Sequence, residues 1–172
     1  MRQSQPQLFA DPRDWEGATF SACRRYRYTL NRVWNPDLPR IVFVMLNPST
    51  ADEHVNDPTV ERCQRRAGRL GFGAMGVVNL FAFRSTNPAA LYECDEPVGP
   101  DNDAAILGQA RQAEMVVCAW GTHGALNERG RRVREMLTAG GVGLHALSLN
   151  ADGSPGHPLY LSYGRAPVPW TE

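Results

Sequence analysis

Five apolar stretches, and what separates them, limit how this chain can fold. They are "YRYTLNRVW" at 26–34, "IVFVML" at 41–46, "GVVNLFAF" at 76–83, "MVVCAW" at 115–120 and "VGLHALSL" at 142–149. The first alternates and is rich in aromatic and β-branched residues, the pattern of a strand. The other four run apolar with little interruption, which suits strands covered on both faces. Helical spacing fills the gaps. "TVERCQRRAGRL" (59–70) sets Val60, Cys63, Ala67 and Leu70 on one face and Arg62, Arg65, Arg66 and Arg69 on another. "DNDAAILGQARQA" (101–113) opens on acids, and "GALNERGRRVREMLTAG" (124–140) stops at glycine. The order β-β-α-β-α-β-α-β predicts an α/β domain of three layers around a mainly parallel sheet.

At 172 residues the chain suits one domain. No repeat or low-complexity linker divides it. Residues 23–172 read as that domain, and 1–22 as a loosely held tail or docking arm. The opening residues lack the apolar centre of a secretory signal, and no apolar run approaches the length of a bilayer span. A cytoplasmic protein without a membrane partner is expected, and nothing points to an obligate protein partner. Cys23, Cys63, Cys94 and Cys118 form no C-x-x-C pair, so no zinc or iron–sulfur cofactor is expected. Cys63 and Cys118 read as small core residues. The 18 basic residues are all arginine and are matched by 18 acids. Zero net charge argues against a general nucleic-acid coat protein but leaves room for a local phosphate-binding face.

In open parallel sheets, ligands bind beyond the carboxyl ends of the strands. Each run here delivers a polar loop to that end. Asn47-Pro48-Ser49-Thr50 follows the 41–46 run, and "AFRSTNP" with Arg84 follows 76–81. "GTHG" with His123 follows 115–120, and "NADGSPGHPLYL" with His157 follows 142–149. Each has an ordinary alternative. Asn47 is equally suited to a turn that caps the next helix. His145, flanked by apolar residues, reads as core. Asp52, Glu53, His54 and Asp57 read as dipole complements before a helix, with a divalent-metal site as the alternative. The arginine face on 59–70 is either solvated or turned toward phosphates. His157 is the hardest to assign to structure, because "GSPGHPLY" serves no strand or helix.

"MLNPSTAD", "NDPTVERC", "VVNLFAFRSTNP", "VGPDND", "AWGTHG" and "HPLYL" together resemble a bacterial domain family of unknown function, over residues ~24 to 170. Their order is also distantly similar to the uracil-DNA glycosylase superfamily. Asn47-Pro48 looks like that superfamily's water-positioning loop, "NLFAFRSTNP" like its second motif, and "HPLYL" like its His-Pro loop. The resemblance implies an α/β/α sandwich with a four-stranded parallel sheet and an enzyme acting on bases, as in DNA repair. Met45-Leu46 and Ser49 stand where the superfamily has glycines, and Leu-Tyr-Leu follows His-Pro in place of serine or alanine.

The resemblance gives the residues roles in hydrolysing an N-glycosidic bond. Asn47 would orient water, and His157 would donate to the base as electrons move onto it. Asp52 or Asp57 would supply basicity. Pro48, Ser49, Asn79, Phe81, Arg84 and His123 would contact the base or nucleotide. Arg62, Arg65, Arg66 and Arg69 would hold phosphates. Leu159-Tyr160-Leu161 would enter a duplex from which the base is flipped. The expected partner is therefore nucleic acid or a nucleotide. Two other readings stand beside this one: a binding module of the same fold without chemistry, and a metal-dependent hydrolase using Asp52, His54 and Asp57.

Overall fold

A computed structural model describes residues 16–171. Its centre is a seven-stranded mixed sheet in the order β1-β2-β4-β3-β5-β6-β7. The strands are β1 (Gly17–Phe20), β2 (Arg27–Val33), β3 (Arg40–Met45), β4 (Ala74–Asn79), β5 (Met115–Cys118), β6 (Leu144–Ala146) and β7 (Val168–Pro169). The helices are α1 (Pro58–Arg69), α2 (Ala89–Glu93), α3 (Asn102–Arg111) and α4 (Arg129–Ala139). The α/β class expected from the sequence is correct, but the sheet is wider than four strands and its edges are antiparallel. β4, β3, β5 and β6 run parallel to one another. β1, β2 and β7 pair antiparallel at the two sides.

The central strands read as unbroken apolar runs because both faces are covered. Ile41, Phe43 and Met45 face one way, against Val60, Cys63 and Ala67 of α1. Val42 and Val44 face the other way, against Ile106 and Ala110 of α3 and Val133 and Leu137 of α4. Cys63 and Cys118 are buried, and burial pushes the Cys63 thiol up to about 12 and raises Cys118 as well. Both are inert core groups.

The N-terminal boundary needs correction. Residues 1–15 lie outside the described region, but Gly17–Phe20, within the stretch read as a tail, is a strand paired with β2. That pairing contains a bulge. Thr19 pairs with Thr29 and Phe20 with Arg27, so Tyr28 is an extra residue on β2. A bulge re-aims the side chains beyond it. Leu30 lies in the α1-side core, and Arg27 and Arg32 both reach carbonyls of the 51–53 loop before α1. Tyr26 and Tyr28 instead pack with Ala82, and with Ala105 of α3.

Candidate functional site

Over the carboxyl ends of the parallel strands lies a cavity of about 550 Å³. This falls in the range of small-molecule sites. Each parallel strand contributes to its wall: Asn47 and Ser49 after β3, Asn79 at the end of β4, Trp120 to His123 after β5, and Ser148 and Asn150 after β6. Asp57 and Thr59 come from the start of α1, His157 from the last long loop, and Arg27 from the first residue of β2. The polar loops listed by the sequence thus meet at one place, with apolar Met45, Leu46 and Val77 among them.

Asn47 is held by its amide nitrogen. Nδ2 donates to the carbonyl of Ser85 at 3.0 Å, of Pro48 at 3.3 Å and of Phe83 at 3.5 Å. Carbonyls only accept, so this environment fixes which end of the amide is which. Oδ1 is left without a partner among the described residues. Asn79 is 1% exposed, and its Nδ2 has no hydrogen-bond partner. Its main-chain position is pinned by Asn102, whose Nδ2 donates to the carbonyls of Asn79 (2.9 Å) and Leu80 (3.1 Å).

His157 caps a short 3₁₀ turn at Pro158–Tyr160: its Nδ1 accepts from the Leu159 N–H at 3.2 Å. Nδ1 is therefore unprotonated, and in the neutral ring the proton sits on Nε2 as a free donor. Burial lowers the His157 pKa, partly countered by the Asp57 charge. A Cβ at Gly156 would come within 2.1 Å of Ser148 Oγ, so the Ser148 hydroxyl would have to rotate away. Asp57 is buried and caps α1, its Oδ1 accepting from the Val60 N–H at 2.9 Å. His123 is exposed, with its Nδ1 2.9 Å from the Tyr92 hydroxyl and its ring edge-on to Tyr92.

Other expected site residues lie elsewhere. Phe81 is fully buried in the α3–α4 side of the core, so it cannot stack on a base. Asp52 does not line the cavity. Its Oδ1 accepts from the N–H groups of His54 and Val55, both at 2.8 Å, and these bonds hold its carboxyl below the usual carboxylate range. Pro48 is buried behind Asn47, where its carbonyl accepts from the Ser85 N–H. Arg84 donates to the Arg24 carbonyl and covers the Phe20 ring at 4.8 Å, away from the cavity. Among the described residues no cluster of three or more His, Cys, Asp or Glu could hold a metal ion. The grouping of Asp52, His54 and Asp57 suggested by the sequence does not form.

The largest correction concerns the α1 arginines. Arg66 is 1% exposed, and it donates to the carbonyls of Ser162 (3.0 Å), Arg165 (2.9 Å) and Leu161 (3.1 Å). Arg62 donates to the carbonyls of Pro158 and Leu161. Tyr163 lies under the guanidinium groups of Arg62 and Arg69, at 4.3 and 4.7 Å from its ring centre. Arg65 pairs with Glu61. Arg62 and Arg66 thus clamp the loop after His157, while Arg65 and Arg69 stay exposed. Of the proposed wedge, Tyr160 is exposed, and Leu159 and Leu161 are half-buried.

The sequence reading missed Arg27. It is 2% exposed and lines the cavity, and its one side-chain hydrogen bond among the described residues runs from Nη1 to the Ala51 carbonyl at 2.9 Å. Burial lowers its pKa to about 10, so it stays charged at neutral pH. The only signal in the sequence was an arginine inside a strand pattern.

An α/β domain with a polar cavity over its strand ends is the class these features define. The chain belongs to the family described as "Protein of unknown function (DUF1643)", whose model matches residues 27–159. No curated protein and no solved structure matches it. None of the described helices is long and apolar enough to cross a membrane.

Proposed function

We propose that this cavity takes a nucleobase-bearing ligand and hydrolyses its N-glycosidic bond, as the distant resemblance to uracil-DNA glycosylases implies. The observation that carries the reading is the meeting of Asn47, Asn79 and His157 at one cavity, each with an unused polar atom. The parallel order β4-β3-β5-β6 over α1 on one face and α3 and α4 on the other supports the superfamily fold.

The residues suit the chemistry. Water adds to the anomeric carbon, the carbon–nitrogen bond breaks, and the base departs with the electron pair and takes up a proton. Asn47 Oδ1 accepts from the attacking water and orients it. Asp57 is the carboxylate at the cavity able to take that water's proton. His157 Nε2–H donates to the base oxygen on which charge builds, the kind of preorganised donor that contributes most to such sites. Asn79 Nδ2 reads a base acceptor. Catalysis that leans on an amide and an already capped carboxylate is slow.

The reading without chemistry is favoured by one observation: Asp57 is the sole carboxylate in the cavity wall, and one of its oxygens is committed to the helix cap. A cleavage screen separates the two. Oligonucleotides and free nucleotides carrying uracil, hypoxanthine, xanthine or a mismatch are incubated with wild type, Asn47→Ala and His157→Ala. Base release by wild type that falls at least tenfold in both variants supports hydrolysis here. Binding without release, unaffected by Asn47→Ala, selects the binding module.

A further inference from the structure

Arg27 sets a condition on the ligand. A buried charge is normally paired, and leaving one unpaired in a protein interior is costly. Arg27 is 2% exposed, yet no carboxylate lies within ion-pair distance of it among the described residues. Nη1 is used on Ala51, and Nε is buried with no partner among the described residues. The acid that acts on it through space is Asp57, which caps α1. The β-bulge at Tyr28 turns Arg27 to this side. A guanidinium presents its donors in a fork that matches the oxygens of a phosphate.

The outside of the molecule points the same way. A polymer is held by a row of cationic contacts to successive phosphates. Of the α1 arginines, Arg62 and Arg66 are spent on the 158–165 loop, and Arg69 lies exposed over Tyr163. Within the cavity wall Arg27 is the one arginine. The cationic group inside the cavity is single.

We propose that the ligand is a free nucleoside monophosphate, its phosphate on Arg27 and its base toward Asn79 and His157. This rests on the cavity being a nucleobase site, as argued above, but not on hydrolysis taking place there.

The test is calorimetric titration of the wild-type protein with the 5′-monophosphates of uridine, cytidine, adenosine, guanosine, inosine and xanthosine. The matching nucleosides, inorganic phosphate, and single- and double-stranded oligonucleotides of the same bases are run beside them. For at least one base, the monophosphate is expected to bind roughly 10- to 100-fold tighter than its nucleoside, the scale of hydrogen bonds to a charged group. That ratio collapses toward one in Arg27→Met and is partly kept in Arg27→Lys. Asp57→Asn, which removes the competing negative charge, tightens monophosphate binding. Circular dichroism melting shows whether each variant is folded. The wild-type comparison of nucleoside with monophosphate needs no variant at all. Equal binding of nucleoside and monophosphate, or binding of oligonucleotides alone, overturns the proposal. Base release from oligonucleotides without monophosphate binding would overturn it and leave the glycosidic reading standing. Monophosphate binding that depends on Arg27, without base release, would support it and remove hydrolysis.

Discussion

Arg66 and Arg27 are buried almost equally, at 1% and 2% exposure, and are used in opposite ways. Arg66 lies in a socket of main-chain carbonyls, with three hydrogen bonds that tie α1 to the 158–165 loop. Arg27 has one such bond and otherwise faces the cavity. Burial alone therefore does not separate an arginine that builds the site from one that serves it. The number of donors satisfied does: both leave Nε unpaired, but Arg66 makes three bonds and Arg27 one. Arg66 fixes the loop that carries His157, whereas Arg27 is left incomplete where a ligand can complete it.

The sharpest way to break this contrast is to remove Arg66. Arg66→Ala leaves three carbonyls without their donor, and a loss of about 3 kcal/mol in unfolding free energy is expected. Urea denaturation measures it, and limited proteolysis should find the 158–165 loop newly cleavable. Arg27→Met should cost no more than about 1 kcal/mol, since removing a lone buried cation offsets the lost Ala51 bond. Equal destabilisation by the two substitutions would end the distinction.

Asn47→Asp probes a third position in the same terms. It places a carboxylate oxygen against the carbonyls of Pro48, Phe83 and Ser85, where a donor now sits. The expected cost is about 2 kcal/mol in urea denaturation. Catalysis should not rise, although a carboxylate is the stronger base. A gain in base release would mean that the oxygen, not the nitrogen, faces those carbonyls.

The smallest effect concerns His157. Its pKa is lowered in the folded protein, so the unfolded chain binds the proton more readily. The stability this neutral histidine contributes is complete above pH 6.5 and is lost as pH falls through its lowered value. The melting temperature of wild type should thus fall slightly more than that of His157→Gln between pH 7.5 and 5. Parallel curves would remove the case for a buried neutral ring.

Much of this was legible in the residues. The runs at 41–46 and 115–120 declared covered strands, and strand ends in a parallel sheet must share a rim, so Asn47 and His157 could be grouped from the residues alone; Asn79, inside the 76–83 run, could not. Asp57 was readable as a dipole complement before the helix, and in the structure it caps α1. Whether Phe81 was core or stacked on a base stayed open in the sequence, because in a strand covered on both faces every position is apolar and the period carries no direction; it is core. The arginines of α1 showed their helical face but not its neighbour. What meets that face is a loop about a hundred residues later in the chain, and local spacing carries no information about it.

The sequence by itself determined the α/β class, the central strands and the loops that reach the rim, because hydrophobic period and turn chemistry act over a few residues. Tertiary structure alone decided which charges are spent and which are free. Strict alternation along β2 would set Arg27 on the face opposite Leu30 and Arg32. One extra residue in the pairing with β1 brings it to their side and into the cavity. Register between strands is a property of the assembled sheet, and no single strand contains it.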